Sequence, residues 1–306
     1  EDLLINYFDF SIPGFDFLDN KSRIYGDIRH TNAYSYCLIN YPKDFTWTLG
    51  ASGDFYESGP ISANQLNPKF GVLWTPFPNT TLRLAAFRTL KRTLLNSSTL
   101  EPTQVAGFNQ FYDDNDGTRA WKYGAGVDQR FSDGLFGGVE LSKRDLKTPI
   151  VDVDDEVIDE WRETFVRSYL YWVPVNWLTL TAEYQFERFT RDGFTGSDNA
   201  FKLETHRVPL GIGFFHPCGL SSRLKLTYVD QSGEFPDTAS GDRLRDDDHF
   251  WVLDGSIGFR LPDRWGMISL EVRNLLDEEF RFQDTDPGNP SIFPKRTVFG
   301  KITLSF

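Results

Sequence analysis

Hydrophobic and polar residues alternate with a period of two along most of the chain, and clusters of turn-forming residues interrupt the alternation. The last segment shows this clearly, because Val298, Ile302 and Leu304 fall on one face while Lys301 and Thr303 fall on the other. Successive residues of a β-strand point to opposite sides of the sheet, so each segment has one apolar and one polar face. The pattern therefore predicts an all-β protein.

The predicted strands are about ten to twelve residues long, whereas strands of soluble sheets are usually about half that length. A strand tilted across a bilayer needs this length, with its apolar face toward lipid and its polar face toward the interior. We therefore predict a transmembrane antiparallel up-and-down β-barrel of about fourteen strands over residues 21–306. The strands are predicted near residues 21–30, 33–41, 44–54, 67–76, 80–90, 119–131, 134–144, 162–173, 176–190, 201–215, 221–231, 249–261, 264–274 and 295–306.

Short and long connections alternate along the chain, with a tight turn at Thr31-Asn32 as the exception. Bacterial barrels have short periplasmic turns and long extracellular loops. The alternation therefore supports the barrel independently and predicts that both chain ends face the periplasm. The short connections are 41–44, 76–79, 132–134, 173–176, 217–219 and 262–264. The long, mostly acidic ones are 55–66, 91–118, 145–161, 191–200, 232–248 and 275–294. Tryptophans beside the short turns predict an interfacial girdle: Trp47, Trp74, Trp172, Trp177 and Trp265.

Composition agrees with a membrane barrel. Aromatic residues make up 16 % of the chain although the mean hydropathy is only −0.40, and no apolar stretch approaches the roughly 18 residues of a transmembrane helix. The net charge of −12 argues against a nucleic-acid partner. The two cysteines and four histidines show no metal, redox or hydrolase spacing. We therefore expect no enzyme activity, cofactor or metal site, and interpret the acidic runs 152–156 and 246–248 as solvated loop residues rather than calcium ligands.

Alternation also selects the charged residues that would line the interior. Two interpretations are open: a selectivity field for a polar or anionic solute, or a hydrated ion-pair lattice that keeps the wall polar. The candidate lining residues are Arg83, Lys122, Asp128, Arg130, Glu140, Arg144, Arg167, Glu183, Glu187, Arg207, Arg223, Lys225, Asp254, Arg260, Glu271, Arg273 and Lys301.

Three features stand out near the end of the chain. Residues 270–280 have the sequence Leu-Glu-Val-Arg-Asn-Leu-Leu-Asp-Glu-Glu-Phe, and residues 294–300 have the sequence Pro-Lys-Arg-Thr-Val-Phe-Gly. The third feature is the aromatic Phe306. Over roughly the last sixty residues, this stretch resembles the C-terminal barrel of TonB-dependent outer-membrane receptors, whose closing strands carry such residues. The resemblance implies an outer-membrane location and makes Phe306 part of the signal read by the barrel-assembly machinery. The whole chain is also similar to the barrel of tetratricopeptide-linked outer-membrane proteins, in which the barrel exports cargo.

Three functions remain open from the sequence. The leading hypothesis is an outer-membrane channel, the export or conducting pore of a larger protein or complex. The first alternative is ligand uptake, as in TonB-dependent receptors, and the second is a structural anchor whose lumen is filled by a partner chain. Residues 1–20 are interpreted as a periplasmic linker or small plug. The expected partners are the lipid bilayer with lipopolysaccharide, the barrel-assembly machinery and a periplasmic or lumen-occupying protein.

Overall fold

The computed structural model describes residues 28–58, 61–92, 101–112, 114–152, 155–192, 200–237, 243–262, 265–283 and 292–304. Fifteen strands form in these ranges: β1 (Ile28–Ile39), β2 (Phe45–Ser58), β3 (Ile61–Phe77), β4 (Thr80–Leu90), β5 (Gln104–Val105), β6 (Phe108–Asn109), β7 (Arg119–Ser132), β8 (Leu135–Asp152), β9 (Asp155–Val175), β10 (Leu178–Arg191), β11 (Lys202–Phe215), β12 (Leu220–Pro236), β13 (Arg243–Arg260), β14 (Gly266–Arg273) and β15 (Thr297–Leu304). Within the described ranges, no helix has the length and apolarity needed to cross a membrane.

Thirteen of the strands form one antiparallel up-and-down sheet, in which β1 to β4 are followed directly by β7 to β15 in chain order. The short strands β5 and β6 pair only with each other. The predicted all-β, up-and-down fold of about fourteen long strands is therefore confirmed. In the described residues the sheet is not closed, since β1 and β15 each pair with one neighbour. β15 ends at the short-turn end of the sheet, where Leu304 pairs with Gly266, whereas β1 begins at the opposite end. Both chain termini lie outside the described residues, so their periplasmic position stays a prediction.

The predicted tight turn at Thr31-Asn32 is wrong. These residues lie inside the continuous strand β1 and pair with Phe55 and Asp54 of β2. The Asn32 side chain donates a hydrogen bond to Asp54 at 2.7 Å. A turn-favouring sequence is thus held in an extended conformation by its neighbour, which removes the one exception to the alternation of connections.

Three of the predicted long loops are mostly strand. The β2–β3, β8–β9 and β12–β13 hairpins carry their pairing through much of 55–66, 145–161 and 232–248. Their sequences are rich in polar and acidic residues. Backbone pairing continues there because it does not require an apolar side chain.

One face of the sheet carries an exposed apolar band, which we call the apolar face. Leu141, Leu170 and Ile212 are about half exposed on it, as expected for side chains that face lipid. The structure places the five tryptophans of the predicted girdle near the short-turn end, where Trp47 and Trp74 stack on Phe45. The two edges of the band can therefore be located: aromatic rings mark the short-turn edge, and charged residues begin at the other.

Candidate functional site

The charged residues predicted to line the interior share the opposite face, which we call the polar face. Residues paired across neighbouring antiparallel strands lie on the same side of a sheet. The pairing connects Glu140 with Arg167, then Arg167 with Gln185, and then Gln185 with Arg207. Arg83 of β4 is paired with Gly126 of β7, which is paired with Glu140, so Arg83 lies in the same row. One transverse row therefore crosses six strands, from β4 to β11, and carries a polar side chain on each of them except β7, where Gly126 stands.

Ion pairs connect this row with residues above and below it. The Arg83 guanidinium donates to Asp128 at 2.6 Å and to Glu140 at 3.0 Å. Arg167 donates to both carboxylate oxygens of Glu183 at 3.0 Å. The other pairs are Arg207–Glu187, Lys225–Asp254, Arg273–Asp254 and Arg273–Glu271. The side chains of these pairs are 13–41 % exposed, so the pairs are partly buried and each charge is compensated by a partner of opposite sign.

The remaining predicted lining residues fall into two groups. Arg130, Arg223, Arg260 and Lys301 lie on the polar face toward the short-turn end and are exposed. Lys122 and Arg144 are paired with each other on the same face but are buried, because another part of the chain covers them. Phe306, the predicted assembly signal, lies outside the described residues.

The covering element is residues 101–112 of the connection between β4 and β7, which we call the inserted hairpin. Its strands β5 and β6 are joined by Ala106 and Gly107, whose φ angles are 46° and 84°. Positive φ at both central residues is typical of the type I′ turn that closes tight hairpins. The connection was predicted to be a long extracellular loop, and the structure adds that this part of it folds back onto the polar face of the sheet.

An apolar cluster holds the inserted hairpin against the wall. Val105, Ala106 and Phe108 of the hairpin pack with Ala85 and Phe87 of β4, and all five side chains are buried. Complete burial of a valine or phenylalanine side chain contributes about 1.5–3 kcal/mol. The hairpin is therefore docked by the same effect that stabilises a protein core.

Two glycines make room for these side chains in the wall. A Cβ atom at Gly124 would lie 2.4 Å from a ring carbon of Phe108, and one at Gly71 would lie 2.8 Å from a methyl group of Val105. Both distances are too short for any side chain. The wall is thus shaped to receive the hairpin, with glycine at both contact points.

A buried carboxylate anchors the start of the hairpin. Glu101 accepts a hydrogen bond from the Tyr36 hydroxyl at 2.6 Å, and the Lys69 ammonium lies 3.9 Å away. Gln110, near the other end of the hairpin, also donates to the Tyr36 hydroxyl at 3.1 Å. Removing one partner of a buried charge leaves the other unpaired, which costs several kcal/mol, so these contacts make the docked position specific.

A second anchor lies at the end of the hairpin. Tyr112 accepts a hydrogen bond from Lys122, and the Arg144 guanidinium lies 3.6 Å from the centre of the Tyr112 ring. Burial raises the pKa of the Tyr112 phenol above its ordinary value, so the group stays neutral. Arg144 is itself paired with Asp114 and Glu163. The anchors extend the hairpin's contacts from β1 to β8.

A second segment covers the polar face of β12 and β13. Phe280 stacks on Phe250 with ring centres 4.1 Å apart, while the backbone of Gln283 exchanges two hydrogen bonds with the Gln231 side chain. Ile292 completes this apolar cluster. The segment belongs to the predicted long loop 275–294, and again the chain folds back onto the wall.

The residues that carried the family resemblance form the base of this second segment. Asn274 and Asp277 have positive φ angles of 48° and 59°, a conformation that Asn and Asp tolerate better than most residues. The Asn274 amide group bonds the backbone of Glu278, and Asp277 accepts a hydrogen bond from the Arg296 backbone at 2.8 Å. The motif therefore connects the end of β14 with the start of β15.

Between the two covered regions, part of the polar face stays accessible. The side chains of Arg167 and Glu187 are 33 % and 29 % exposed, whereas those of Lys69 and Arg144, beside the inserted hairpin, are 2 % and 8 % exposed. Among the described residues of the row, Glu140 and Arg167 are the more accessible charges, at 22 % and 33 %, and Arg83 and Arg207 are each 13 % exposed.

The fold is similar to those of solved outer-membrane receptors. The ferric-catecholate import receptor Fiu from Escherichia coli matches with a TM-score of 0.57 and 16 % identity over 83 % of this chain. The iron transporter FrpB from Neisseria meningitidis matches with a TM-score of 0.65 and 14 % identity over 89 % of this chain. A mutant of the ferric enterobactin receptor PfeA from Pseudomonas aeruginosa matches with a TM-score of 0.61 and 16 % identity over 97 % of this chain. The predicted resemblance to TonB-dependent receptor barrels is confirmed for the fold, which is that of an outer-membrane barrel.

The chain spans less than half the length of these receptors: 41 % of Fiu, 44 % of FrpB and 47 % of PfeA. No protein-family model matches the chain, and no curated protein matches it by sequence. The similarity is therefore one of wall architecture, with strands of similar arrangement and largely different side chains.

Proposed function

We propose that this chain forms the wall of a solute passage in the bacterial outer membrane, and that the inserted hairpin narrows the passage. The observation that carries the proposal is the partly accessible row of charged side chains on the polar face, from Glu140 of β8 to Arg207 of β11. A charged face needs water or a polar ligand beside it, because burying unpaired charges is costly. The exposed apolar face on the other side of the same strands suits lipid.

Different observations favour different directions of transport. Fiu is an import receptor and FrpB an iron transporter, and these similarities favour ligand uptake. A conducting or export barrel within a larger protein remains the leading hypothesis from the sequence, and the inserted hairpin supports it, since a narrowing element within the wall chain is suited to a channel. The filled anchor is the third hypothesis, and it predicts that water does not reach the row.

Cysteine accessibility separates these functions. Gln185 lies on the polar face and the adjacent Tyr184 on the apolar face. In a background where the exposed Cys37 and Cys218 are replaced by serine, Gln185→Cys is expected to react with a membrane-impermeant charged thiol reagent. Tyr184→Cys, the matched control, is expected to stay unreactive because it faces lipid. The measurement is the labelled fraction in intact outer membranes and in bilayers containing the purified protein.

Single-channel recording completes the test. For an open passage, the protein conducts without an energising partner, and labelling of Gln185→Cys from either side changes the conductance. Labelling from one side only, with no conductance, would support gated uptake. Protection of Gln185→Cys from both sides would contradict the passage and leave the filled anchor.

A further inference from the structure

A small cavity lies between the inserted hairpin and the wall strands β3 and β4. Its volume is about 30 Å³, which suits an occupant of roughly one or two water molecules in size. We call it the hairpin cavity. The wall side contributes Lys69, Thr89, Lys91 and Arg92 to its lining, and the hairpin contributes Glu101 and Gln110. A ligand bound there would therefore contact both the wall and the element that covers it.

One arginine of the lining is buried with an unsatisfied donor. The Arg92 side chain is 5 % exposed, and its Nη2 atom is buried without a hydrogen-bond partner among the described residues. Buried polar groups in proteins are almost always hydrogen-bonded, and a buried charged group is costly unless it is both paired and hydrogen-bonded. Arg92 therefore needs an acceptor that the described side chains do not provide.

The carboxylate that faces Arg92 is already occupied by other groups. Asp54 lies 3.7 Å from Nη1 of Arg92, which is too far for a hydrogen bond. The two Asp54 oxygens are hydrogen-bonded instead to His30 at 3.0 Å, Asn32 at 2.7 Å and Asn67 at 2.6 Å. Asp54 thus offsets part of the arginine charge but does not satisfy the arginine donors.

The lining as a whole has an excess of positive charge. Its basic members are Lys69, Lys91 and Arg92, and its acidic members are Glu101 and Asp114. Both acids have partners outside the lining, since Glu101 accepts a hydrogen bond from Tyr36 and Asp114 is paired with Arg144. A water molecule would supply an acceptor but no compensating charge. The lining therefore favours an anion over water.

The ion pairs around the cavity are long, which leaves donors for a third group. The separations are 3.9 Å for Lys69–Glu101, 3.5 Å for Lys91–Asp116 and 3.7 Å for Arg92–Asp54. By comparison, Arg83 lies 2.6 Å from Asp128 on the same face. An ammonium has three donors and a guanidinium has five. The cations at the cavity can therefore bind a further acceptor without breaking a short ion pair.

We propose that the hairpin cavity binds one small monovalent anion of the size of a halide, and that this anion fastens the inserted hairpin to the wall. Arg92 donates to the anion from Nη2, and Lys69 lies on the same cavity. Because Glu101 and Gln110 of the hairpin complete the lining, the anion binds the docked hairpin and not the released one. A ligand that binds one of two states stabilises that state. The site does not depend on the proposed passage, whereas its effect on conductance does.

The test measures hairpin docking in different salts. The detergent-purified protein is digested by protease in potassium chloride, bromide or gluconate at equal concentration, and cleavage within residues 101–112 is followed by mass spectrometry. Cleavage reports the released population when opening and closing are fast. We expect wild type to be cleaved at least about fivefold more slowly in chloride or bromide than in gluconate, as for an anion severalfold above its dissociation constant. Equal rates in the three salts would overturn the proposal.

Three variants assign the effect to the cavity. Arg92→Gln is expected to lose the difference between the salts. The matched control is Arg191→Gln, because Arg191 is 6 % exposed and 3.6 Å from Asp159 but does not line the cavity. It is expected to keep the difference. Thr89→Asp places a carboxylate in the cavity and is expected to protect the hairpin equally in all three salts, even if Arg92→Gln releases the hairpin by itself. Persistence of the difference in Arg92→Gln or in Thr89→Asp, or its loss in Arg191→Gln, contradicts the site.

The NMR line width of chloride measures binding directly. Wild type is expected to broaden the chloride signal more than Arg92→Gln does, and bromide but not gluconate is expected to reverse the excess. Equal broadening by the two proteins argues against the site. These outcomes are distinct from those of the passage. Halide-dependent protection together with Gln185→Cys shielded from both sides means that the anion site stands and the passage fails. Conductance together with salt-independent cleavage means the reverse.

Discussion

Replacing Phe108 by alanine is expected to raise the conductance of the protein by releasing the inserted hairpin. The Phe108 side chain is 1 % exposed and is the largest fully buried apolar side chain of the hairpin in its cluster with the wall. Truncation of a buried phenylalanine to alanine typically costs about 3–5 kcal/mol. Since each 1.4 kcal/mol is a factor of about ten, the docked population should fall more than a hundredfold relative to the released one. Single-channel recording and protease cleavage within residues 101–112 measure this change.

The opposite steric change is expected to have the same result. Gly124→Ala keeps the phenylalanine but places a methyl group 2.4 Å from its ring, so the hairpin can no longer seat. Gly53→Ala is the matched control, because a Cβ atom there meets nothing within 4 Å. We expect larger conductance for Gly124→Ala and unchanged conductance for Gly53→Ala. If Phe108→Ala and Gly124→Ala both conduct like wild type, the hairpin does not narrow the passage.

The second large effect concerns the lipid-facing side of the wall. Val139 lies on the apolar face near the middle of the band, paired with Ser168, and its side chain is 41 % exposed. Val139→Arg is expected to lower the free energy of unfolding by about 2–4 kcal/mol, because an arginine at the bilayer midplane must leave water. Denaturant titration of the protein in lipid vesicles, followed by tryptophan fluorescence, measures this loss.

The depth of the substitution provides the control. Thr164 lies on the same face at the edge of the band, beside Lys143 and Arg188. Thr164→Arg is therefore expected to cost about 0–1 kcal/mol, the range observed near the interfaces. A similar loss at both positions would contradict the location of the band, and a negligible loss at Val139 would contradict its exposure to lipid.

The strands and their two faces could be predicted from the sequence because alternation is a property of neighbouring residues. Arg83, Glu140, Arg167 and Arg207 were assigned to one side by parity alone, and the pairing of the sheet places them there. Whether these groups select a solute stays a prediction.

Strand ends were less predictable, since a local turn preference competes with pairing to a neighbour. Thr31-Asn32 has a turn-like sequence, but twelve consecutive pairs with β2 hold it extended. The acidic ends of β8 and β13 were predicted to belong to long acidic loops, yet each is paired along its length with the adjacent strand. Pairing of this kind involves residues from two segments and is not visible in either one.

The sequence by itself determined that the chain forms long antiparallel strands with one lipid-suited and one charged face, because both properties arise from the two-residue repeat of an extended backbone. Only the tertiary structure decided what covers the charged face. The Phe108 ring occupies the space that a side chain at Gly124 would fill, and Glu101 accepts a hydrogen bond from Tyr36. Each contact joins residues of separate elements. Such contacts form because folding brings a cavity and a side chain of matching shape together, and no periodicity in the sequence records that match.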